Sequence, residues 1–366
     1  MKRRFFQQVL NPWIMGISFL ICISLGALAQ AADIPSGIPS GLPDDLSDMS
    51  PFDPCQGRLC GESPPRCPWY CETDAIFLRR DRIDTVPLQT LGNQGDIVLS
   101  TDDINSPFRA GSRLLLGHTF GDSRWQIDGS YFWIGNWDDS FAIRNSANDL
   151  FSPFTNFGHP IVTAFDHNGF VSIREKSQLQ NGEVNLRYTV PMPHECLTAK
   201  LILGFRYTSV NEQFDYVSAK SPTPNVNIST RTTNDLFGPQ IGGEFYFFAY
   251  RNAWIDLGIK GALCDNHASQ ETTGIIPNPT EGTLFENSRG RDATAFVGDL
   301  DLALVWQLTP HWTTRIGYQA LWINNIAMAS RNFNQPALIL QDGPPQIDTT
   351  GHAVYHGPHI GLECMW

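Results

Sequence analysis

The sequence predicts an all-β chain: an exported antiparallel transmembrane β-barrel of about ten strands, within a range of roughly eight to twelve, with short periplasmic turns and long external loops. Three observations predict it. From about residue 69 onward, segments of roughly nine to fifteen residues alternate apolar with polar or small side chains, the period-two signature of strands whose faces meet different media. The connectors between those segments alternate between short and long. After the first 31 residues no stretch approaches the ~18 to 20 uninterrupted apolar residues of a membrane helix, so membrane residence after export falls to a closed sheet.

Residues 1–31 carry Lys2, Arg3 and Arg4, an apolar stretch over 14–29 and the small-residue pattern Ala29-Gln30-Ala31. That is a signal peptide with cleavage after Ala31. Ser18, Ser24 and Gly26 break the apolar stretch and argue against an uncleaved anchor. The leader holds three of the 25 basic residues and none of the 37 acidic ones, so the mature chain sets 22 against 37, a net of about −15. Nucleic acid is excluded as a partner on that balance, and the charge reads as loop solubility. With 42% hydrophobic, 11% aromatic and 17% charged residues, the chain has the apolar surface of one large folded body and too little charge for disorder.

Residues 32–68 repeat proline and glycine, as in Ile34-Pro35-Ser36-Gly37-Ile38-Pro39-Ser40-Gly41-Leu42-Pro43, and form a linker or tether that buries no core. Cys55, Cys60, Cys67 and Cys71 fall within seventeen residues at C-x4-C and C-x3-C spacing. In an oxidising compartment, among Pro64, Pro65 and Pro68, they read as two local disulfides of open connectivity, ahead of a zinc site. Cys22 leaves with the signal, whereas Cys196, Cys264 and Cys364 stand singly on strands or strand ends as small apolar side chains.

The barrel occupies 69–366. Its clearest strand is 197–208, where Leu197, Ala199, Leu201, Leu203, Phe205 and Tyr207 oppose Thr198, Lys200, Gly204 and Arg206, with Ile202 breaking the pattern. The segment 125–133 sets Trp125, Ile127, Gly129, Tyr131 and Trp133 against Gln126, Asp128 and Ser130, and 294–308 sets Phe296, Leu300, Leu302, Leu304, Trp306 and Leu308 against Asp299, Asp301 and Gln307. Similar segments at about 70–79, 109–120, 176–190, 237–249, 253–264, 311–323 and 353–366 bring the count to ten. Connectors at 121–124, 191–196, 250–252 and 309–310 are short, and those at 80–108, 134–175, 209–236, 265–293 and 324–352 are long, the asymmetry of outer-membrane barrels with both termini in the periplasm. Trp125, Trp133, Trp306, Trp312, Trp322 and Trp366 fall near strand ends, where interfacial girdles sit. The last strand carries Ile360, Leu362, Cys364 and Trp366 at every second place, an assembly signal for the barrel-assembly machinery, although phenylalanine is the usual terminal residue.

Parity opposite the apolar rows places Lys200, Arg206, Glu244, Asp256, Lys260, Asp299, Asp301 and Arg315 in the lumen, either along a channel or in a plug of salt bridges. Ten strands lie near the narrow end of the range, where side chains fill the interior, which disfavours a wide diffusion pore. His352, His356 and His359 cluster near the last strand, but 356 and 359 face opposite sides, and a shared metal would need a bulge. His159, Asp166 and His167 lie in a long loop and read as solvated residues. No nucleophile elbow, zincin helix or phosphate loop occurs, and neither a cofactor nor a metal site is expected.

Several segments resemble a planctomycete outer-membrane β-barrel family of uncharacterised function: Leu203-Gly204-Phe205-Arg206-Tyr207 leading to Glu212, Gly238-Pro239-Gln240-Ile241-Gly242-Gly243-Glu244, Trp254-Ile255-Asp256-Leu257-Gly258-Ile259-Lys260-Gly261, and Trp306-Gln307-Leu308-Thr309-Pro310 with Gly317-Tyr318. The resemblance spans about 70–366 and implies fold and location, not an activity. The expected role is structural or surface-binding, then a narrow channel, with outer-membrane lipid as surroundings and a surface ligand the sequence does not name. The alternatives are a hydrolase or acyltransferase at the barrel rim and a soluble exported β-sandwich binding protein.

Overall fold

The computed structural model describes residues 68–82, 85–121, 124–155, 165–193, 197–220, 226–250, 252–276, 283–333 and 346–366. Its strands are β1 (Trp69–Arg82), β2 (Pro87–Leu91), β3 (Ile97–Ser100), β4 (Arg109–Thr119), β5 (Trp125–Arg144), β6 (Leu150–Phe151), β7 (Phe170–Val190), β8 (Leu197–Ala219), β9 (Val226–Tyr250), β10 (Ala253–Ile276), β11 (Thr283–Gln307), β12 (Trp312–Ile326) and β13 (Gly351–Met365). One helical turn, α1 (Ala329–Asn332), follows β12. Ten strands close an antiparallel barrel in the order β1-β13-β12-β11-β10-β9-β8-β7-β5-β4, and β3-β2-β6 form a separate small sheet. Each expected segment corresponds to one barrel strand. Closure excludes the two-sheet sandwich, because every barrel strand has a partner on both edges.

The wall is wrapped by an apolar row. On β8, Leu201, Leu203 and Phe205 are 57, 56 and 57% exposed, whereas Ile202 and Arg206 on the opposite face are buried. The row continues through Val184, Ile241, Ile259, Leu302, Ile316 and Ile360 on the neighbouring strands. An exposed apolar surface that runs round the molecule has hydrocarbon, not water, as its fitting solvent. On the external side it ends at tyrosines with polar partners: Tyr131 donates to Gln180 at 3.2 Å, Tyr207 donates to Asp235 at 2.7 Å, and Tyr318 shares a 2.5 Å hydrogen bond with His356.

Above that level the alternation inverts. Leu179, Val210, Phe214, Tyr216, Ile228 and Leu236 are buried, while Gln178, Gln213, Asp215, Ser229 and Asp235 take the outer side. The stretches 209–236 and 265–293, expected as loops, are therefore largely strand, because β8 continues to Ala219, β9 begins at Val226, β10 continues to Ile276 and β11 begins at Thr283. At ~3.3 Å per residue and the usual tilt, about ten extra residues lift this wall roughly 25 Å beyond the hydrocarbon. β12, β13, β1 and β4 are shorter, at 15, 15, 14 and 11 residues, so the mouth slopes. The chain after β1, β5 and β12 folds over the opening: Leu88, Leu99, Ile104 and Leu150 pack with Phe214, Tyr216, Ile228 and Phe333 in one apolar cluster.

Pairing of β1 with β13 closes the cylinder, from Tyr70↔Met365 to Arg82↔Ala353. The ladder skips Phe77 and Leu78, opposite Pro358 and Gly357. Pro358 has no N–H to give, and a Cβ at Gly357 would lie 1.9 Å from the Phe77 carbonyl oxygen, so glycine alone permits the approach. Side chains reinforce the seam on the outer face, where His356 Nε2 lies 2.8 Å from Asp81, itself 2.7 Å from Arg79.

Candidate functional site

The bore of the barrel is the candidate site, and it is filled in layers. In the periplasmic half the inward residues form an ionic layer. Arg206, 1% exposed, places Nη2 2.7 Å from Glu183 and 2.8 Å from Asp299, and its Nε donates to Gln240 at 2.9 Å. Lys260 shares both carboxylates, at 2.8 Å and 3.4 Å. Arg315 pairs with Glu72 at 2.5 Å, Asp301 at 3.3 Å and Asp256 at 3.6 Å. Arg113 pairs with Asp74 at 3.4 Å and Asp301 at 3.6 Å, and His359 Nε2 lies 3.1 Å from Asp301. Arg187 bridges Asp128 and Glu244, and the Lys200 ammonium sits 4.9 Å over the Tyr246 ring. Buried charges persist only when paired and hydrogen-bonded, and here each cation meets an acid or ring from a neighbouring or facing strand.

All eight charged residues singled out by parity, Lys200, Arg206, Glu244, Asp256, Lys260, Asp299, Asp301 and Arg315, meet in this layer. Sequence reasoning did not assign to the lumen Glu72, Arg113, Glu183 and Arg187, which pair with them, or Asp74 and Asp128, which pair with Arg113 and Arg187. Each has the same inward parity on its own strand, so extending the rule to β1, β4, β5 and β7 finds them.

Above the ions lies an apolar layer of Ile76, Leu78, Phe132, Ile134, Val210, Leu236, Leu321 and Tyr355 from the wall. It also contains Ile326, the last residue of β12, and Met328 from the chain that leaves it. Next above, Arg80 is 2% exposed and holds Glu175 at 2.8 Å and Glu212 at 2.5 Å. The second Glu212 oxygen accepts the Ala329 N–H at 3.0 Å. The external cap closes the stack with a buried network in which Gln89 donates to Ser152 at 2.7 Å and to Tyr216 at 2.8 Å.

In the cap, Asp166 accepts the Ser152 N–H at 3.1 Å, and burial pushes its carboxyl up from the ordinary range against that hydrogen bond. His167 is exposed and packs its ring 4.4 Å from Phe151. Among the described residues no hydrogen bond or ion pair joins the two, and His159 lies outside them. At Asp348, burial opposes ionisation, but hydrogen bonds from Thr350 and Arg331 outweigh it and hold the carboxyl below its ordinary value. His356 and His359 take opposite faces: His359 is buried beside Asp301, while His356 bonds Tyr318 and Asp81 on the outer side.

Of the disulfide candidates, Cys55, Cys60 and Cys67 lie outside the described residues, as do the expected signal peptide at 1–31 and all but the last residue of the expected linker at 32–68. Cys71 is buried on β1, in register with Cys364 of β13. Cys264 is a free thiol buried in the apolar layer. Ile360, Leu362 and Cys364 share one parity on β13, and Trp366 follows its last residue.

The family model described as "Putative beta barrel porin-7 (BBP7)" matches residues 81–366. Among solved structures, the outer membrane protease OmpT from Escherichia coli aligns at 10% identity over 84% of this chain and 99% of that one, with a TM-score of 0.47. The Pseudomonas putida toluene transporter TodX aligns at 9% identity over 82% of this chain and 90% of that one, with a TM-score of 0.32. Neisserial surface protein A aligns at 7% identity over 81% of this chain and 97% of that one, with a TM-score of 0.28. At these values no activity or ligand passes from them to this chain. No curated protein matches it.

Proposed function

The chain belongs to the beta barrel porin-7 family of outer-membrane β-barrels, and from that premise we propose that it is a closed barrel with a structural or surface-presenting role, not a general diffusion pore. The observation that carries this reading is the unbroken filling of the bore: paired ions, then apolar side chains, then Arg80 with its two glutamates, then the cap. Such a barrel presents its tall external wall and cap to the surroundings while passing no solute at rest. Residues 1–31 would direct export, with cleavage after Ala31. Ile360, Leu362, Cys364 and Trp366 would hand the chain to the barrel-assembly machinery, and 32–68 would remain on the periplasmic side as a tether to the barrel at 69–366.

Liposomes loaded with the purified protein test this role. The expected result is that they neither swell in small sugars nor carry steady current in planar bilayers. A steady, solute-permeable conductance would assign the protein to the pores instead.

The tether carries a separate prediction. Export into an oxidising compartment and the close spacing of Cys55, Cys60, Cys67 and Cys71 favour two disulfides among them. Mass spectrometry of protein alkylated before reduction is expected to find all four blocked. Four alkylated thiols with stoichiometric zinc would replace the disulfides with a metal site.

A further inference from the structure

One piece of the filling is not wall. At Asn325 the backbone takes a left-handed φ of 60°, a bulge in β12, and after Ile326 the chain leaves that strand for the interior of the barrel. Ile326 still pairs with Gly351 of β13, and residues 327–333 then lie inside the mouth, with Ala327, Met328, Ala329 and Phe333 essentially fully buried. The wall receives this segment with side-chain amides. Asn234 on β9 accepts the Ala327 N–H at 2.7 Å and donates to the Ala327 carbonyl at 2.8 Å, so one carboxamide answers both polar groups of a peptide as a neighbouring strand would. Asn266 on β10 donates to the Asn325 carbonyl at 3.0 Å, and Glu212 on β8 accepts the Ala329 N–H at 3.0 Å. Beneath them the wall narrows to small residues, Ala262, Cys264 and Ala295, and the space they leave belongs to the cluster that Ile326 and Met328 complete. The return of the segment is tied to itself: Asn332 exchanges two hydrogen bonds with the Asp348 backbone, at 2.8 Å and 2.9 Å, and Arg331 pairs with Asp348 at 2.9 Å.

A wall built to be shut for good would fill this recess with large apolar side chains. Asn234 and Asn266, both 0% exposed, instead offer amides that are satisfied in two ways, by a peptide backbone when the segment is in and by water when it is out. An apolar lining would be satisfied in the first state alone. The small side chains below likewise leave room only if the segment supplies the missing volume. We propose that residues 327–333 are a displaceable strap, a closing element latched by Asn234 and Glu212 and hinged at Asn325, whose carbonyl Asn266 holds, and that its departure opens the layer beneath the cap down to Cys264. The inference rests on the closed-barrel reading, since it concerns how that closure is made.

Cys264 reports the strap position, because it is free, buried, and the next inward residue below Asn266. The experiment treats the full-length protein in nanodiscs with a charged, membrane-impermeant thiosulfonate and reads modification at residue 264 by mass spectrometry. In wild type the reaction should be slow. In Asn234→Ala, folded by heat-modifiable migration, losing both latch hydrogen bonds should speed it by roughly tenfold or more. An unchanged rate in the folded variant would make the segment a fixed part of the wall and overturn the proposal. If Asn234→Ala does not fold, hydrogen exchange of the wild type decides the same question. The amides of Ala327 and Ala329 should exchange at least roughly tenfold faster than those of Leu302 and Leu304 on β11, and equal protection would overturn it. Steady conductance of the wild type would defeat the closed-barrel reading, whereas unchanged Cys264 labelling defeats only the strap.

Discussion

Arg206→Met is expected to destabilise the folded barrel by about 3 to 5 kcal/mol, the cost of stripping a buried pair of one partner. Arg206 is shared by Glu183 and Asp299 and is itself 1% exposed, so its removal leaves two carboxylates with Lys260 as their shared cation and side-chain amides as their other donors. Water cannot readily repair the loss, because the apolar layer of Leu236, Ala262, Val297 and Leu321 seals the site from above. The measurement is urea unfolding in detergent micelles, followed by heat-modifiable migration. A second variant gives the result its meaning: adding Glu183→Gln and Asp299→Asn to Arg206→Met removes the orphaned charges and should recover most of the lost stability. If Arg206→Met alone unfolds where wild type does, the layer is wet enough to solvate its ions. The reading of a filled bore would then fall with it.

How much of this was legible in the sequence follows from which solvent each face meets. Below the external interface the rule is constant, apolar toward lipid and polar toward the lumen, so Leu201, Leu203 and Phe205 identify both the strand and its faces. Above it the outer solvent becomes water while the interior stays packed, so apolar residues move to the opposite parity: Tyr207 faces out, whereas Val210, Phe214 and Tyr216 face in. A reader tracking one parity meets an apparent end of strand at this point, which is why 209–219 and 226–236 look like loop. The inversion carries its own information, since it marks the height of the membrane surface on each long strand. Lumenal charges are legible by the same parity, but their pairing is not. Arg80 meets Glu212, and Arg113 meets Asp301, across the bore, at sequence separations that local periodicity does not encode. The strap is the least legible element. Asn325 to Phe333 reads as ordinary loop, and so do Asn234 and Asn266, which fall within 209–236 and 265–293; only the closed geometry brings them together.

The exposed row on β8 carries the membrane claim, and Leu201→Lys tests it. Leu201 is 57% exposed, with Leu203 and Phe205 continuing the same face, so in hydrocarbon an ammonium there has nothing to solvate it but a snorkelling path along its own stem. The expected penalty is about 2 to 4 kcal/mol toward the bilayer midplane, falling toward the interface. Lys200→Leu, one residue away on the opposite face, is the comparison. It removes an ammonium 4.9 Å above the Tyr246 ring, worth roughly 0.5 to 2 kcal/mol, while Glu244 keeps Arg187 as its partner. Scored as the fraction of heat-modifiable barrel recovered in liposomes, Leu201→Lys should fall well below Lys200→Leu. In water the order reverses: an exposed lysine at 201 would cost almost nothing, and losing the half-buried cation at 200 would be the larger defect. The sign of the difference between two adjacent positions therefore reports which solvent the outer face meets.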